Sequence, residues 1–488
     1  MKKITRLIPL LFAPLVLTSC STLSDTIKNL LPGNNNASSS SSNNNSTNSS
    51  QGGHTSQGGN SSSSGQSSQS GSSSSSSSSG GGEVPPTPTP TDDEWTIMVY
   101  MCGADLESDS RDGGYASKDI EEIRKTLNQP DNVNIIIETG GAASWKSNII
   151  GGSGTRKVTA GELGRYHIEN NNFVKDGKVD NANMGDKDTL KSFLNWGFET
   201  YPANKYGLIL WNHGGAMEGV CFDENYGNDG LTADEIDYAV TNARSKNGIS
   251  DKLEFLTYDA CIMAIQDLAE VNSHNFKYML SSQESEVGDG YDYDAWLPTL
   301  YSNPTTVSTK TILTEIADTF IEENKNAATD QTQSVFDLSK MSAYKTAFDN
   351  FSSGLAGIIN SQDKWNSFAS IVTGSNVQTY AEGEVDIYNL ADSPKDIERS
   401  GKGKGLLTAL KNDSTYSSIS TQIANLEAAV SDVVVYEIHQ TGTYGCGMCI
   451  AVPTAGNIEQ DTYQQQTPFT TWYNLCAQYG TWYSGWWW

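Results

Sequence analysis

Past residue 94 the apolar positions alternate between two spacings. Continuous apolar runs at Trp95–Cys102, Val133–Thr139, Tyr206–Asn212, Leu253–Tyr258 and Tyr278–Ser282 predict strands buried on both faces. Between them, Tyr115–Leu127, Asp188–Tyr201, Thr232–Ala243 and Ile262–Asn272 carry apolar residues at helical spacing. Strands of the first kind alternating with helices of the second predict an α/β layered domain with a mainly parallel central sheet flanked by helices. Ile149–Phe173 reads as a polar hairpin insertion. After Asn303 the chain becomes helix-rich, with Val307–Asn324 and Met341–Ile359, before two late strands, Val433–Gln440 and Met448–Val452, return to the core. These patterns divide the folded part into a core over 95–303 and a helix-rich C-terminal subdomain over 304–488. No internal repeat interrupts them.

The front of the chain has neither spacing. Residues 1–20 join a basic start (Lys2, Lys3, Arg6) to an apolar run from Leu7 to Leu17, the pattern of an export signal. That run is too short for a stable membrane span. Leu17-Thr18-Ser19-Cys20 resembles the bacterial lipobox, which implies lipidation of Cys20 and anchoring in the cell envelope or at the cell surface; an ordinary cleaved signal with an incidental cysteine is the alternative. Residues 21–94 read as a tether. From Gly33 to Gly82 the sequence is almost entirely Ser, Asn, Gly and Gln, with no Asp, Glu, Lys or Arg, and so cannot bury enough surface to offset its ordering entropy. As a flexible coil it spans about 40 Å, followed by a stiffer collar holding Pro85, Pro86, Pro88 and Pro90.

Charge narrows the partners. The 488-residue chain carries 31 Lys and Arg against 58 Asp and Glu, a net charge of −27. Nucleic acid is thereby disfavoured, because phosphate backbones are bound by clustered cations. The same charge attracts basic substrates over distance, or serves only to keep a surface protein soluble.

In open α/β sheets ligands gather beyond the carboxyl ends of the strands. Two such ends carry chemistry. Tyr206–Asn212 runs into His213-Gly214-Gly215, and Leu253–Tyr258 runs into Asp259-Ala260-Cys261. A helix beginning at Ile262 places Cys261 near a helix N-terminus, where the dipole favours a thiolate. A thiolate nucleophile needs a proton donor and a site for the developing oxyanion. His213 meets the first need, and the backbone N–H groups of Gly214 and Cys261 are candidates for the second.

Asn212-His-Gly-Gly-Ala216 and Tyr258-Asp-Ala-Cys261, each closing an apolar strand and separated by one helix, resemble the clostripain family of cysteine peptidases, part of the caspase-like α/β group. Trp95–Asp105, Met184-Gly-Asp186, Ser281-Ser-Gln-Glu284 and Val385-Asp-Ile-Tyr388 extend the resemblance over most of the chain beyond residue 94. It implies a caspase-like fold, with Cys261 as nucleophile and His213 as general acid and base. Asp259 matches the family's acidic residue associated with Arg or Lys at P1, so the implied activity is endopeptidase cleavage after basic residues in protein or peptide substrates. A carboxylate at the pocket floor favours a cationic side chain on physical grounds as well. No Lys or Arg occurs from Tyr206 through Ala243, so the self-cleavage seen in some relatives between the His and Cys strands is not expected here.

Other residues keep two readings. Asp259 is also a candidate helix N-cap. Glu284 and Glu286 line the same pocket or belong to a solvated loop. Asp223–Gly230 is rich in oxygen ligands but departs from the EF-hand pattern at Gly227 and Asp234; the expectation is no required cofactor, with calcium held open because the family includes a calcium-dependent member. Cys446 and Cys449 have a C-x-x-C spacing read as packing, and five cysteines besides Cys20 and Cys261 leave at least one free thiol. His54 lies in the tether, and His167, His274 and His439 have no glycine context. Trp472, Trp482 and Trp486–Trp488 suit either an adhesive patch or the cap of a hydrophobic cluster. The rival functions are the same dyad with another P1 preference and a non-catalytic surface-binding lipoprotein.

Overall fold

The computed structural model describes residues 92–151, 158–327, 331–380, 384–386, 405–440, 447–454, 458 and 460–482. The expected signal, Cys20, the tether up to residue 91, Cys446 and Trp486–Trp488 lie outside the described residues.

The thirteen described strands are β1 Trp95–Cys102, β2 Val133–Gly140, β3 Glu162–Glu169, β4 Asn172–Asp180, β5 Lys205–Trp211, β6 Val220–Asp223, β7 Asp229–Leu231, β8 Leu253–Asp259, β9 Phe276–Ser281, β10 Thr332–Asp337, β11 Glu384–Asp386, β12 Val434–His439 and β13 Cys449–Ala451. Nine of them form one sheet in the order β12-β10-β9-β8-β5-β1-β2-β3-β4. Its centre, β2-β1-β5-β8-β9, is parallel throughout. Antiparallel pairs extend it at both edges. The architecture is the expected α/β sheet with a helix-rich C-terminal region.

Alternation along the central strands explains the two layers. In β1, Met98, Tyr100 and Cys102 enter one hydrophobic cluster while Ile97, Val99 and Met101 enter the other, and all eight residues are buried. The first cluster takes the helices Lys187–Thr200 and Ala233–Lys246, with the C-terminal helices Met341–Ile358 and Ser420–Val433; the second takes Tyr115–Lys125, Tyr293–Ser302 and Thr309–Asn324. Thr232 starts Ala233–Lys246 with a capping box, its hydroxyl accepting from Glu235 N–H while the Glu235 carboxylate accepts from Thr232 N–H.

Three sequence expectations change. The polar insertion is not an appendage: β3 and β4 are added to β2 and are part of the main sheet, their polar residues marking an edge with one solvated face. β10 was not expected among the later helices; its run Thr-Gln-Ser-Val-Phe-Asp has a polar start that hides a strand which the sheet buries almost completely. The helix after Cys261 begins only at Gln266.

Candidate active site

The parallel register of β5 and β8 brings the two marked strand ends together. Trp211 lies opposite Asp259, and Asn212 N–H donates to the Asp259 carbonyl at 3.3 Å. His213 and Cys261 each stand two residues beyond this last pair, so both leave the same edge of the sheet. Close approach there demands glycine: a Cβ on Gly214 would lie 2.0 Å from the Cys261 carbonyl oxygen. Asn212 locks the strand end, its Nδ2 donating to the Cys102 carbonyl at 2.7 Å and its Oδ1 accepting from Phe222 N–H at 2.7 Å.

His213 has a partner that sequence reasoning did not single out. Its Nε2 lies 2.8 Å from Asp105 Oδ1, and Asp105 follows the end of β1, the strand beside β5. Burial raises the Asp105 carboxyl, but the hydrogen bond and charge of His213, with the N–H groups of Asp105 and Leu106, outweigh it and hold the group below its ordinary range. The available signal was positional: Gly103-Ala104-Asp105 closes a central strand at the ligand edge.

Cys261 sits in a tight turn rather than at a helix N-terminus. Ile262 has φ +50°, an outlier for a β-branched residue, and is pinned by donation from its N–H to the Glu284 carbonyl at 3.1 Å. Ala104 and Ala216 also have positive φ, at +43° and +50°, so strained backbone stands beside Asp105, beyond His213 and after Cys261. The expected help from a helix dipole is therefore absent; the Glu286 N–H, 3.2 Å from Cys261 Sγ, is the donor that takes its place. Cys261 carries a disulfide bond.

A shallow cleft opens over these residues, lined by Leu106, Trp211, His213, Asp259, Cys261 and Glu286 among others. Its floor is acidic. Asp259 is 4% exposed and accepts from Tyr293 Oη at 2.8 Å and Tyr291 N–H at 3.2 Å. Asp119 accepts from Trp211 Nε1 at 2.6 Å, and Glu286 accepts from Gln333 Nε2 at 2.6 Å. Burial pushes Asp259 up to about 7, against its hydrogen bonds from Tyr293 and Tyr291. Burial first and the charge of Asp259 second push Asp119 and Glu286 well above the carboxylate range. Among the described residues none of the three is ion-paired with Lys or Arg.

The clostripain-family sequence profile matches residues 99–474. The chain belongs to the clostripain family. It is a cysteine peptidase. Clostripain of Hathewaya histolytica is 27% identical over 385 residues, covering 65% of this chain and 69% of the relative. A secreted C11 cysteine protease from Bacteroides thetaiotaomicron, solved with an irreversible peptide inhibitor, superposes with a TM-score of 0.53 at 17% identity over 79% of this chain and 99% of that one. An inactive zymogen C11 protease from Parabacteroides distasonis gives a TM-score of 0.52 at 16% identity over the same shares. These likenesses carry the caspase-like fold expected of the family.

The remaining candidates are distributed elsewhere in this clostripain-family fold. His167, His274 and His439 pair with Asp176, Asp237 and Glu437, outside the cleft. Asp259 ends β8 and caps no helix. Glu286 lines the cleft, and Glu284 is partly buried beside it. The Asp223–Gly230 stretch forms β6, a turn and β7, where the Asp223 carboxylate is taken up by Met184 and Asn225 N–H groups and Asp229 by Asn183. Those oxygens do not converge on a calcium-sized site, and among the described residues no group of three or more His, Cys, Asp or Glu is placed to hold a metal ion. Cys449 opens β13 and is buried, its Sγ accepting from Gln283 Nε2 at 3.2 Å. Trp472 is buried with its indole N–H donating to the Ala451 carbonyl, and Trp482 packs against the same cluster. No helix among the described residues is long and apolar enough to cross a membrane.

Proposed function

We propose that this clostripain-family peptidase is exported, anchored by lipid at Cys20, and cleaves peptide bonds after Arg or Lys. One observation carries the specificity: the cleft beside His213 and Cys261 is lined by the buried carboxylates of Asp259 and Glu286, with no cationic partner among the described residues. Buried charge without compensation is costly, and a guanidinium or ammonium from the substrate supplies that compensation. A P1 acidic side chain is rejected by the same charges.

In the proposed reaction an external thiol first reduces the Cys261 disulfide by exchange and is itself oxidised to a disulfide. The Cys261 thiolate attacks the carbonyl carbon after P1, and the carbonyl π electrons move to oxygen. Backbone N–H groups of Gly214 and Cys261 receive the oxyanion. Collapse of the tetrahedral species breaks the C–N bond while the His213 imidazolium gives its proton to the leaving amine. His213 then takes a proton from water as the oxygen attacks the thioester, and the thiolate departs. Asp105 holds the imidazole during both transfers.

A P1-positional peptide library turned over by the reduced full-length chain tests this reading. Cleavage after Arg and Lys that disappears in Cys261→Ala supports it; cleavage surviving Cys261→Ala removes the mechanism, and cleavage spread evenly over P1 removes the specificity. Calcium and chelator arms read any metal requirement. Membrane retention lost in Cys20→Ser tests the anchor.

A further inference from the structure

The acidic floor under the cleft holds more than the one aspartate that the strand end supplies. Glu286 enters from the loop after β9, a different element from β8, which carries Asp259. Its side chain is 7% exposed and lines the cleft. Oε1 accepts from Gln333 Nε2 at 2.6 Å, whereas Oε2 is buried without a hydrogen-bond partner. An orphaned carboxylate oxygen in a water-poor site is costly unless something else donates to it. The backbone N–H of the same residue donates to Cys261 Sγ at 3.2 Å, and both residues line the cleft.

Backbone packs closely against the neighbouring Asp259 carboxylate. Gly290 has φ +57°, and a Cβ there would lie 2.7 Å from Asp259 Oδ1. The Asn324 side chain ties this glycine down by donating to its carbonyl at 3.1 Å. The groups facing the pair are Asp119 on the helix Tyr115–Lys125, Tyr291, Tyr293, Gln333 and the Trp211 indole. All are neutral donors or further acids.

We infer that Glu286 is a second specificity-determining carboxylate, its free Oε2 and Asp259 receiving the two ends of a P1 guanidinium. The inference rests on the proposed peptidase reading and deepens it. Two acceptors on separate elements suit the planar fork of arginine, with several N–H donors, better than the single point charge of lysine. When the cleft is empty, protons shared among Asp119, Asp259 and Glu286 limit the repulsion; the entering cation displaces them.

The test compares reduced full-length wild type, Glu286→Gln and Glu286→Asp on three reporter peptides that differ only in P1: arginine, lysine and citrulline. Citrulline keeps the shape of arginine and lacks its charge. Iodoacetamide labelling of Cys261 confirms that each variant retains a formed site. In Glu286→Gln the ratio of kcat/KM for arginine over citrulline falls at least tenfold, mostly through KM, and arginine loses more than lysine. Glu286→Asp, which keeps the charge, retains most of the ratio. An unchanged ratio in Glu286→Gln overturns the inference, as does an equal loss in both variants, since charge would then not be the cause. Wild type that cleaves none of the three peptides defeats the proposed function itself, which separates the two failures.

Discussion

Asp105 Oδ1 meets His213 Nε2 at 2.8 Å across the ends of two adjacent parallel strands, which fixes the orientation of the ring. The Asp105 side chain is 55% exposed, and water screens the pair, so its value lies in orientation more than in stability. This contact suits Asp105 to a positioning role in the proposed mechanism. Asp105→Ala lowers kcat by about 10- to 100-fold with little change in KM, within the range of acid–base contributions, and Asp105→Glu recovers part of it. Steady-state kinetics on both variants check this, and an unchanged kcat in Asp105→Ala makes the contact incidental.

The disulfide at Cys261 sets a second expectation. The attacking species is a thiolate, so the chain with this bond intact does not turn over substrate, and a thiol reductant activates it. Non-reducing peptide mapping identifies the partner. Full activity in oxidised protein, with the disulfide verified on the same sample, contradicts the expectation.

Acidity of the cleft floor links stability to pH. Asp259, Asp119 and Glu286 are all raised in the folded chain by burial, Asp259 to about 7, while an unfolded aspartate titrates near 3.9. Between those values the folded chain binds more protons than the unfolded one, so the contribution of Asp259 to stability falls as pH rises from about 4 to 7, and Asp119 and Glu286 act in the same direction. Buried Asp267, also pushed to about 7, acts in the same sense. Tm therefore declines over this window, and Asp259→Asn flattens part of the decline. A wild-type slope unaltered in Asp259→Asn shows that this carboxyl is not its source.

Backbone contact at the strand ends makes Gly214 intolerant of a side chain. Gly214→Ala must move the Cys261 carbonyl, because the added Cβ would otherwise lie 2.0 Å away. Overpacking of this kind costs about 1–3 kcal/mol. Gly214→Ala thus lowers Tm by a few degrees and reduces kcat far more than Gly177→Ala, a glycine on β4 with open space around its Cβ position. Equal kcat in the two variants removes the argument.

The central strands, most of their helices and the placement of His213 and Cys261 beyond strand ends were legible because they rest on local regularities: continuous apolar runs, helical spacing, and chain order. What sequence could not carry was anything dependent on which distant segment fills a space. The edge strands β3 and β4 read as an insertion because one-sided burial weakens their apolar signal, and β10 was hidden by polar residues whose burial depends on β9 and β12. Asp105 stood among the matched motifs without a role, since its partner is 108 positions away. Glu286 and solvated loop residues look alike in sequence; only the packing of Gln333, Asp259 and Cys261 around Glu286 takes it out of water. Sequence thus determined the elements and the reactive residue types, because hydrophobic pattern and chain order are local. The tertiary structure decided which acids are buried together and which nitrogen of His213 is occupied, because desolvation and hydrogen bonding belong to the surroundings rather than to the residue.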